Sequence, residues 1–347
     1  MRTHPVLGAW LLGGLLLLSA CAGPAAVPTA APTAPPAPRD TLRPTAVPPT
    51  LRCTARPTAR PTAAPTVTPT PAPYGAAARA HLAALAEGIG RREAGSAEEE
   101  TARRYVEAAF AAYGYGTELQ RFTFYYWDDS ERESANVIAV KPGASAREII
   151  VGAHYDSTGP GQGADDNASG VAVMLEAAGR LRDVPTPYTI RFIAFGAEEV
   201  DLDGSHYFVA QMDRAAIANT VGMINLDSLV AGEIPYIYGD AGPGTLRDWL
   251  VARAAELGLT VDTRKAWELD EADGTPCDCA DYDAFQEAGI PFAYFEANNW
   301  NVAEEEWAVW HTRNDTLAYL DGARPGRVDR NLAVFTRLLY EVLTGYR

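Results

Sequence analysis

From residue 76 to the C-terminus, short apolar runs alternate with amphipathic stretches, and that alternation predicts the fold class. Residues 76–87 and 98–113 carry Ala, Glu and Arg at helical spacing, with Gly114 as a stop. Strand-like runs follow at 121–126 and 136–140, then at 148–153, where nearly every position is apolar. A helix over 169–181 precedes a second near-continuous apolar run at 188–195, and a helix over 205–212 leads to strands at 221–226 and 234–238. A helix over 245–257, a strand over 291–295 and a helix over 328–343 complete the series. Strands apolar at consecutive positions must be covered on both faces, which predicts an α/β domain around a buried central sheet. No internal repeat is present, which argues against a solenoid or propeller.

The first 73 residues break this pattern. Arg2 and His4 precede an apolar run, Leu7 to Leu18, that is too short for a bilayer span and reads as a secretory signal. The run closes with Leu18-Ser19-Ala20-Cys21, which resembles a bacterial lipobox. Residues 1–20 are then a signal peptide, and Cys21 becomes a lipidated N-terminus that anchors the chain on the extracytoplasmic side of a bacterial membrane. Residues 21–73 are rich in Pro, Thr and Ala, with almost no large apolar side chains, so they cannot offset the entropy of ordering. They are expected to form a disordered, semi-rigid tether at about 3.1 Å per residue. Cys53 stands alone in this tether, as a free thiol or an intermolecular link.

Charge divides at the same place. Residues 1–73 carry six Arg and one acid, net +5; residues 74–347 carry 23 basic and 44 acidic groups, net −21; the whole chain is therefore −16. So acidic a domain disfavours binding to a phosphate backbone, and no nucleic-acid partner is expected. Membrane contact is expected through the lipid anchor only.

The chemistry-bearing residues gather just after the apolar strands. The run 148–153 ends in His154-Tyr155-Asp156, 188–195 leads into Gly196-Ala197-Glu198-Glu199, and 221–226 ends in Asp227-Ser228. A loop through Gly161 and Gly163 leads to Asp165-Asp166-Asn167 and the next helix. In open α/β sheets ligands bind outside the carboxyl ends of the strands. Acids gathered there repel one another and raise each other's pKa, so a metal is the economical explanation. Of the five histidines, His4 belongs to the signal, while His81 and His206 read as surface or packing residues. His154 and His311 are the candidate ligands. On these residues alone Asp165 competes with Asp166, and Glu198-Glu199 also reads as the acidic start of a helix.

The stretches GAHYDS, GADDNASGVA, GAEEVDLDGSHYFV, NLDS and WHTRNDT, with GIGRREAGS upstream, resemble in order the co-catalytic di-zinc aminopeptidases. These are bacterial secreted exopeptidases related to glutamate carboxypeptidase and the transferrin-receptor ectodomain. The resemblance covers roughly residues 78–345 and implies a zinc exopeptidase domain over 74–347. Its fold would be a three-layer α/β/α arrangement with a mixed, mostly parallel central sheet. It implies that Asp166 bridges two Zn2+ ions, that His154 and Asp227 complete one site, and that Glu199 and His311 complete the other. Glu198 would be the general base and Asp156 would orient the His154 ring. The expected substrates are peptides with a free N-terminus, acted on by a monomeric catalytic domain. A His and carboxylate set also admits other divalent ions.

This sequence departs from the family pattern at Cys277-Asp278-Cys279-Ala280-Asp281-Tyr282, where relatives often carry a disulfide and a Ser-Asp-His stretch. Cys277 and Cys279 are expected either to bridge or to offer a Cys-x-Cys metal pair. Asp281, Tyr282 and Trp310 are candidate substrate contacts, and Asn298, Asn299, Trp300 and Trp307 candidate pocket residues. The rival functions are a metallo-carboxypeptidase or dipeptidase, a glutaminyl cyclase of the same fold, and a non-catalytic binding module. The carboxypeptidases with a dimerisation lid insert it between the last Asp and His ligands. Here Asp227 to His311 spans only 84 residues, most of them needed by the sheet. A binding module would have lost ligands, and all five are present together with the base.

Overall fold

The apolar runs become the inner strands of a single sheet. The computed structural model describes residues 72–263, 280–298 and 308–347. Its strands are β1 (Thr117–Tyr125), β2 (Glu131–Lys141), β3 (Ser145–His154), β4 (Tyr188–Phe195), β5 (Thr220–Leu226), β6 (Ile234–Gly239) and β7 (Phe292–Asn298). Their order is β1-β2-β4-β3-β5-β7-β6. The central neighbours β4, β3, β5 and β7 are parallel, and β2 and β6 run antiparallel on either side of them. β1 pairs antiparallel with β2, closing that edge as a hairpin.

The α-helices among the described residues are α1 (Ala76–Ala83), α2 (Ala97–Ala112), α3 (Gly170–Leu181), α4 (Asp203–Ala210) and α5 (Arg214–Asn219). They continue with α6 (Leu246–Glu256), α7 (Tyr282–Glu287), α8 (Leu317–Ala323) and α9 (Arg327–Gly345). Because side chains alternate along a strand, each inner strand feeds two cores. Ile149, Val151 and Ala153 of β3, Phe192 and Ala194 of β4, and Ile224 and Leu226 of β5 pack under α1, α2, α3, α6, α8 and α9. Ile150, Ile193, Phe195 and Met223 face the other way, toward Phe208 of α4, Ile217 of α5 and Phe285 of α7. The three-layer α/β/α architecture is therefore the one expected.

Local chemistry sets the helix ends. Ser96 caps α2 by accepting the N–H of Glu99, and Glu98, Glu99 and Glu100 occupy its first turn, where the exposed N–H groups favour acids. Helix α1 has no cap of its own. Glu176 of α3 supplies one, accepting the N–H groups of Gly75 at 3.1 Å and Ala78 at 2.7 Å. On the hairpin, Phe122 and Phe124 of β1 join Ala94, Ala197 and Val200 in a third, smaller apolar cluster. That cluster buttresses the segment leaving β4. Among the described residues no helix is long and apolar enough to cross a membrane.

Candidate metal centre

Three parallel strands deliver their last residues to one edge of the sheet. His154 is the last residue of β3, Glu198 and Glu199 follow β4, and Asp227 follows β5. Asp156 ties two of these arms together. Its Oδ1 accepts the N–H of Glu198 at 3.1 Å and its Oδ2 that of Glu199 at 3.2 Å, while Oδ1 lies 3.5 Å from His154 Nδ1. Asp227 is seated by its own N–H, which donates to the Phe295 carbonyl of β7 at 3.1 Å.

Asp166 arrives from the loop before α3. The Asp166–Asn167 peptide is cis, and the Asn167 side chain donates to the Leu226 carbonyl at 2.8 Å and accepts from Gly170 N at 2.8 Å. Gly170 itself is required by close approach, since a Cβ there would lie 2.3 Å from the Leu226 carbonyl oxygen. Asp165 and Asp166 point in different directions. Asp165 Oδ1 turns away to accept the N–H groups of Val230 at 2.7 Å and Ala231 at 2.9 Å. Asp166 turns toward the histidines.

In the resulting geometry the two imidazoles face opposite oxygens of one carboxylate. Asp166 Oδ1 is 3.1 Å from His154 Nε2, and Asp166 Oδ2 is 3.1 Å from His311 Nε2. Asp227 Oδ1 lies 3.4 Å from His154 Nε2, and Glu199 Oε2 lies 3.0 Å from His311 Nε2. The other oxygen of Glu199 accepts the N–H of Thr158 at 2.9 Å, which fixes that side chain. Glu198 stands further back, its Oε2 3.7 Å from His154 Nε2.

Electrostatics show what this arrangement needs. Burial pushes Glu198 well above the usual carboxylate range, opposed by His154 and reinforced by Asp281 and Asp227. Burial and then Asp166 raise Glu199 to about 7. Burial likewise raises Asp227, and raises Asp281 to about 7. Burial opposes ionisation of Asp166 too, but the two histidines hold it below the usual range. Burial disfavours the charged form of His311, yet Asp166 and Glu199 outweigh it and lift this imidazole to about 10. Buried acids that suppress one another's ionisation become compatible once divalent cations lie among them. The donors suit such ions: His154, Asp166 and Glu199 offer atoms within 4.8 Å of one another, as do His154, Glu198 and Asp227. Imidazole nitrogen and carboxylate oxygen are zinc donors.

The other expected contacts are placed differently. Trp310 is 41 % exposed, with its ring stacked on that of His311 at 4.2 Å, at the rim of the site. Asp281 and Tyr282, the other candidate substrate contacts, are both buried, 0 % and 6 % exposed. The Tyr282 ring stacks on Phe292 at 4.3 Å in the core opposite α3, and the charge of Asp281 reaches Glu198 from within the protein. Apolar neighbours at 284, 285 and 290 are the signal for this burial. His81 packs as expected, its ring nitrogens each 2.7 Å from the hydroxyls of Tyr105 and Tyr113. Cys21, Cys53, Cys277, Cys279, Asn299, Trp300 and Trp307 lie outside the described residues. Two buried residues beside the centre, Arg92 and Asp315, are not flagged by the sequence reading, although both lie within quoted stretches.

Comparison with known proteins assigns the family. The family model described as Peptidase family M28 matches residues 136–336. The chain is 30 % identical over 302 residues to the alkaline phosphatase isozyme conversion protein of Escherichia coli (strain K12), covering 75 % of this chain and 86 % of that protein. It is 32 % identical over 236 residues to the probable lipoprotein aminopeptidase LpqL of Mycobacterium tuberculosis, covering 61 % of this chain and 47 % of the relative, about half its length. Among solved structures, BSAP, a zinc aminopeptidase from Bacillus subtilis, superposes with a TM-score of 0.65 at 20 % identity, over 78 % of this chain and 96 % of that one. The fold is the α/β architecture that the two structures share. The chain belongs to peptidase family M28 and is a zinc metallopeptidase.

Proposed function

We propose that the chain is an aminopeptidase that removes the N-terminal residue of peptides at a centre built for two zinc ions. The observation that carries the two-ion reading is the Asp166 carboxylate, whose oxygens each lie 3.1 Å from a different imidazole. His154 and Asp227 would hold one ion, His311 and Glu199 the other, and Asp166 both. Zinc held by these residues would supply Lewis-acid polarisation of a scissile carbonyl and a lowered pKa for attacking water. Glu198, buried and 3.7 Å from the His154 ring nitrogen, accepts the proton of the attacking water and returns it to the departing amine. Asp156 keeps the His154 ring and both glutamates in register.

The test is metal analysis of the purified chain together with hydrolysis of aminoacyl reporters and of the same peptides blocked at the amino group. About two zinc ions per chain and cleavage of the free peptides alone are expected. Blocked peptides cleaved as fast as free ones would overturn the aminopeptidase reading.

The Leu18-Ser19-Ala20-Cys21 motif and the relative named as a probable lipoprotein support an envelope enzyme tethered through Cys21 on the extracytoplasmic side of a bacterial membrane. In a bacterial host, Cys21→Ser is expected to move the chain from the membrane fraction to the soluble one. An unchanged distribution counts against the anchor.

A further inference from the structure

Asp315 lies four residues beyond His311 and takes no part in the reaction set out above. It is 3 % exposed, and its carboxylate is aimed at backbone. Oδ1 accepts the N–H of Asp165 at 2.7 Å and Oδ2 that of Asp166 at 3.3 Å. Its carbonyl accepts the N–H of Gln162 at 2.7 Å. At Gly161 a Cβ would come within 2.5 Å of the Thr312 carbonyl oxygen and 2.9 Å of that of Asp315, so the two loops run in direct contact. The loop that carries Asp166 is thereby fastened to the loop that carries His311.

Arg92 holds the same loop from behind. It is 0 % exposed and donates to the carbonyls of Tyr155 at 2.7 Å, Gly90 at 2.8 Å, Gln162 at 2.7 Å and Gly163 at 2.8 Å. These bonds anchor the loop to the end of β3, while the Asp315 side chain ties it to the loop of His311.

We propose that Asp315 is a positioning residue of the metal centre, holding two successive backbone N–H groups so that the Asp166 carboxylate spans the His154 and His311 sides at once. The proposal rests on the two-ion reading. The His311 side depends on it more, because His154 is buried at a strand end whereas the His311 side chain is 38 % exposed on a loop. Residues that orient metal ligands typically contribute roughly 10–100-fold to metal affinity.

The test is zinc titration of the metal-free full chain, wild type against Asp315→Asn. The amide keeps the shape of the side chain but presents an NH2 group to a backbone N–H, so only one of the two bonds survives. The variant is expected to bind one ion as tightly as wild type and the second roughly 10–100-fold more weakly. Its kcat should fall at limiting zinc and recover as zinc is raised, with KM unchanged. Two ions bound as tightly as in wild type would overturn the proposal. So would parallel loss of both ions with a lowered melting temperature of the metal-free protein and no recovery in zinc, the result of a merely structural role. A second measurement needs no variant: in metal-free wild type, the amides of Asp165 and Asp166 should resist hydrogen exchange, and exchange at the rate of an open loop also refutes the proposal. Fewer than two ions on the wild type itself would mean that the two-ion reading had failed, and this proposal with it.

Discussion

Glu198→Gln is expected to lower kcat by roughly 10²–10⁴-fold, the span ordinarily contributed by a positioned general acid or base. The amide fills the same space but cannot accept the proton of the attacking water. In the proposed arrangement Glu198 is the base and not a ligand, so the variant should still take up zinc, and KM should change little, the pattern expected when an interaction specific to the transition state is removed. The metal-free variant should melt no lower than metal-free wild type. Burial pushes Glu198 well above the usual carboxylate range, opposed by His154 but reinforced by Asp281, Asp227 and Glu199. A neutral group there gives up the attraction of His154, whose Nε2 lies 3.7 Å from Glu198 Oε2, but relieves the burial of a charge and the repulsion of three acids, which together outweigh it. Steady-state kinetics at saturating zinc, metal analysis and calorimetry check the three statements together. A folded, zinc-loaded variant with wild-type kcat would remove Glu198 from the mechanism.

The parts of this molecule legible in the sequence are those where burial forces a pattern. Strands β3, β4 and β5 are covered on both faces, so their apolar runs give the sheet interior, and the polar residues that end them must lie at its edge. His154, Glu198, Glu199 and Asp227 are exposed to reasoning for that reason. The hairpin was harder to bound. β1 begins at Thr117 and β2 at Glu131, earlier than the apolar runs suggest, because much of this edge is solvent-facing and is held by the ladder rather than by a core. The short helices α5 and α7, six residues each, and α8, seven, are too brief to show a 3.6-residue period.

Arg92, Asp315 and Tyr282 mark a second limit. The roles of Arg92 and Asp315 consist of hydrogen bonds to backbone groups at positions far along the chain, and no local spacing records such a partner. Asp315 did leave a trace, an acid closing the stretch Trp310-His311-Thr312-Arg313-Asn314-Asp315. The packing of Tyr282 is likewise set by a partner outside its own segment, the Phe292 ring of β7.

Removing the metal should have the largest effect on stability, and the effect should grow with pH. An ion bound to the folded chain alone contributes about 4 kcal/mol when present at a thousand times its dissociation constant, so two such ions contribute about 8 kcal/mol. For a domain of this size that corresponds to a melting shift on the order of 15 °C or more. The pH dependence follows from the acids left behind. In the metal-free protein burial raises Glu199 and Asp281 to about 7, and Glu198 and Asp227 lie above their ordinary values for the same first cause. Unfolded carboxylates titrate near pH 4. Between about pH 4 and pH 7 the folded metal-free chain therefore binds more protons than the unfolded chain, and its stability falls as pH rises. His311, lifted to about 10 by Asp166 and Glu199 against the cost of burial, extends the decline above pH 7. Bound zinc takes the place of those protons, so the loaded protein should not show the decline. Calorimetry with and without chelator at pH 5 and pH 8 should find a small difference at the lower pH and a large one at the higher. A chelator effect that is absent at both, or larger at pH 5, would contradict an acid cluster that depends on divalent cations at neutral pH.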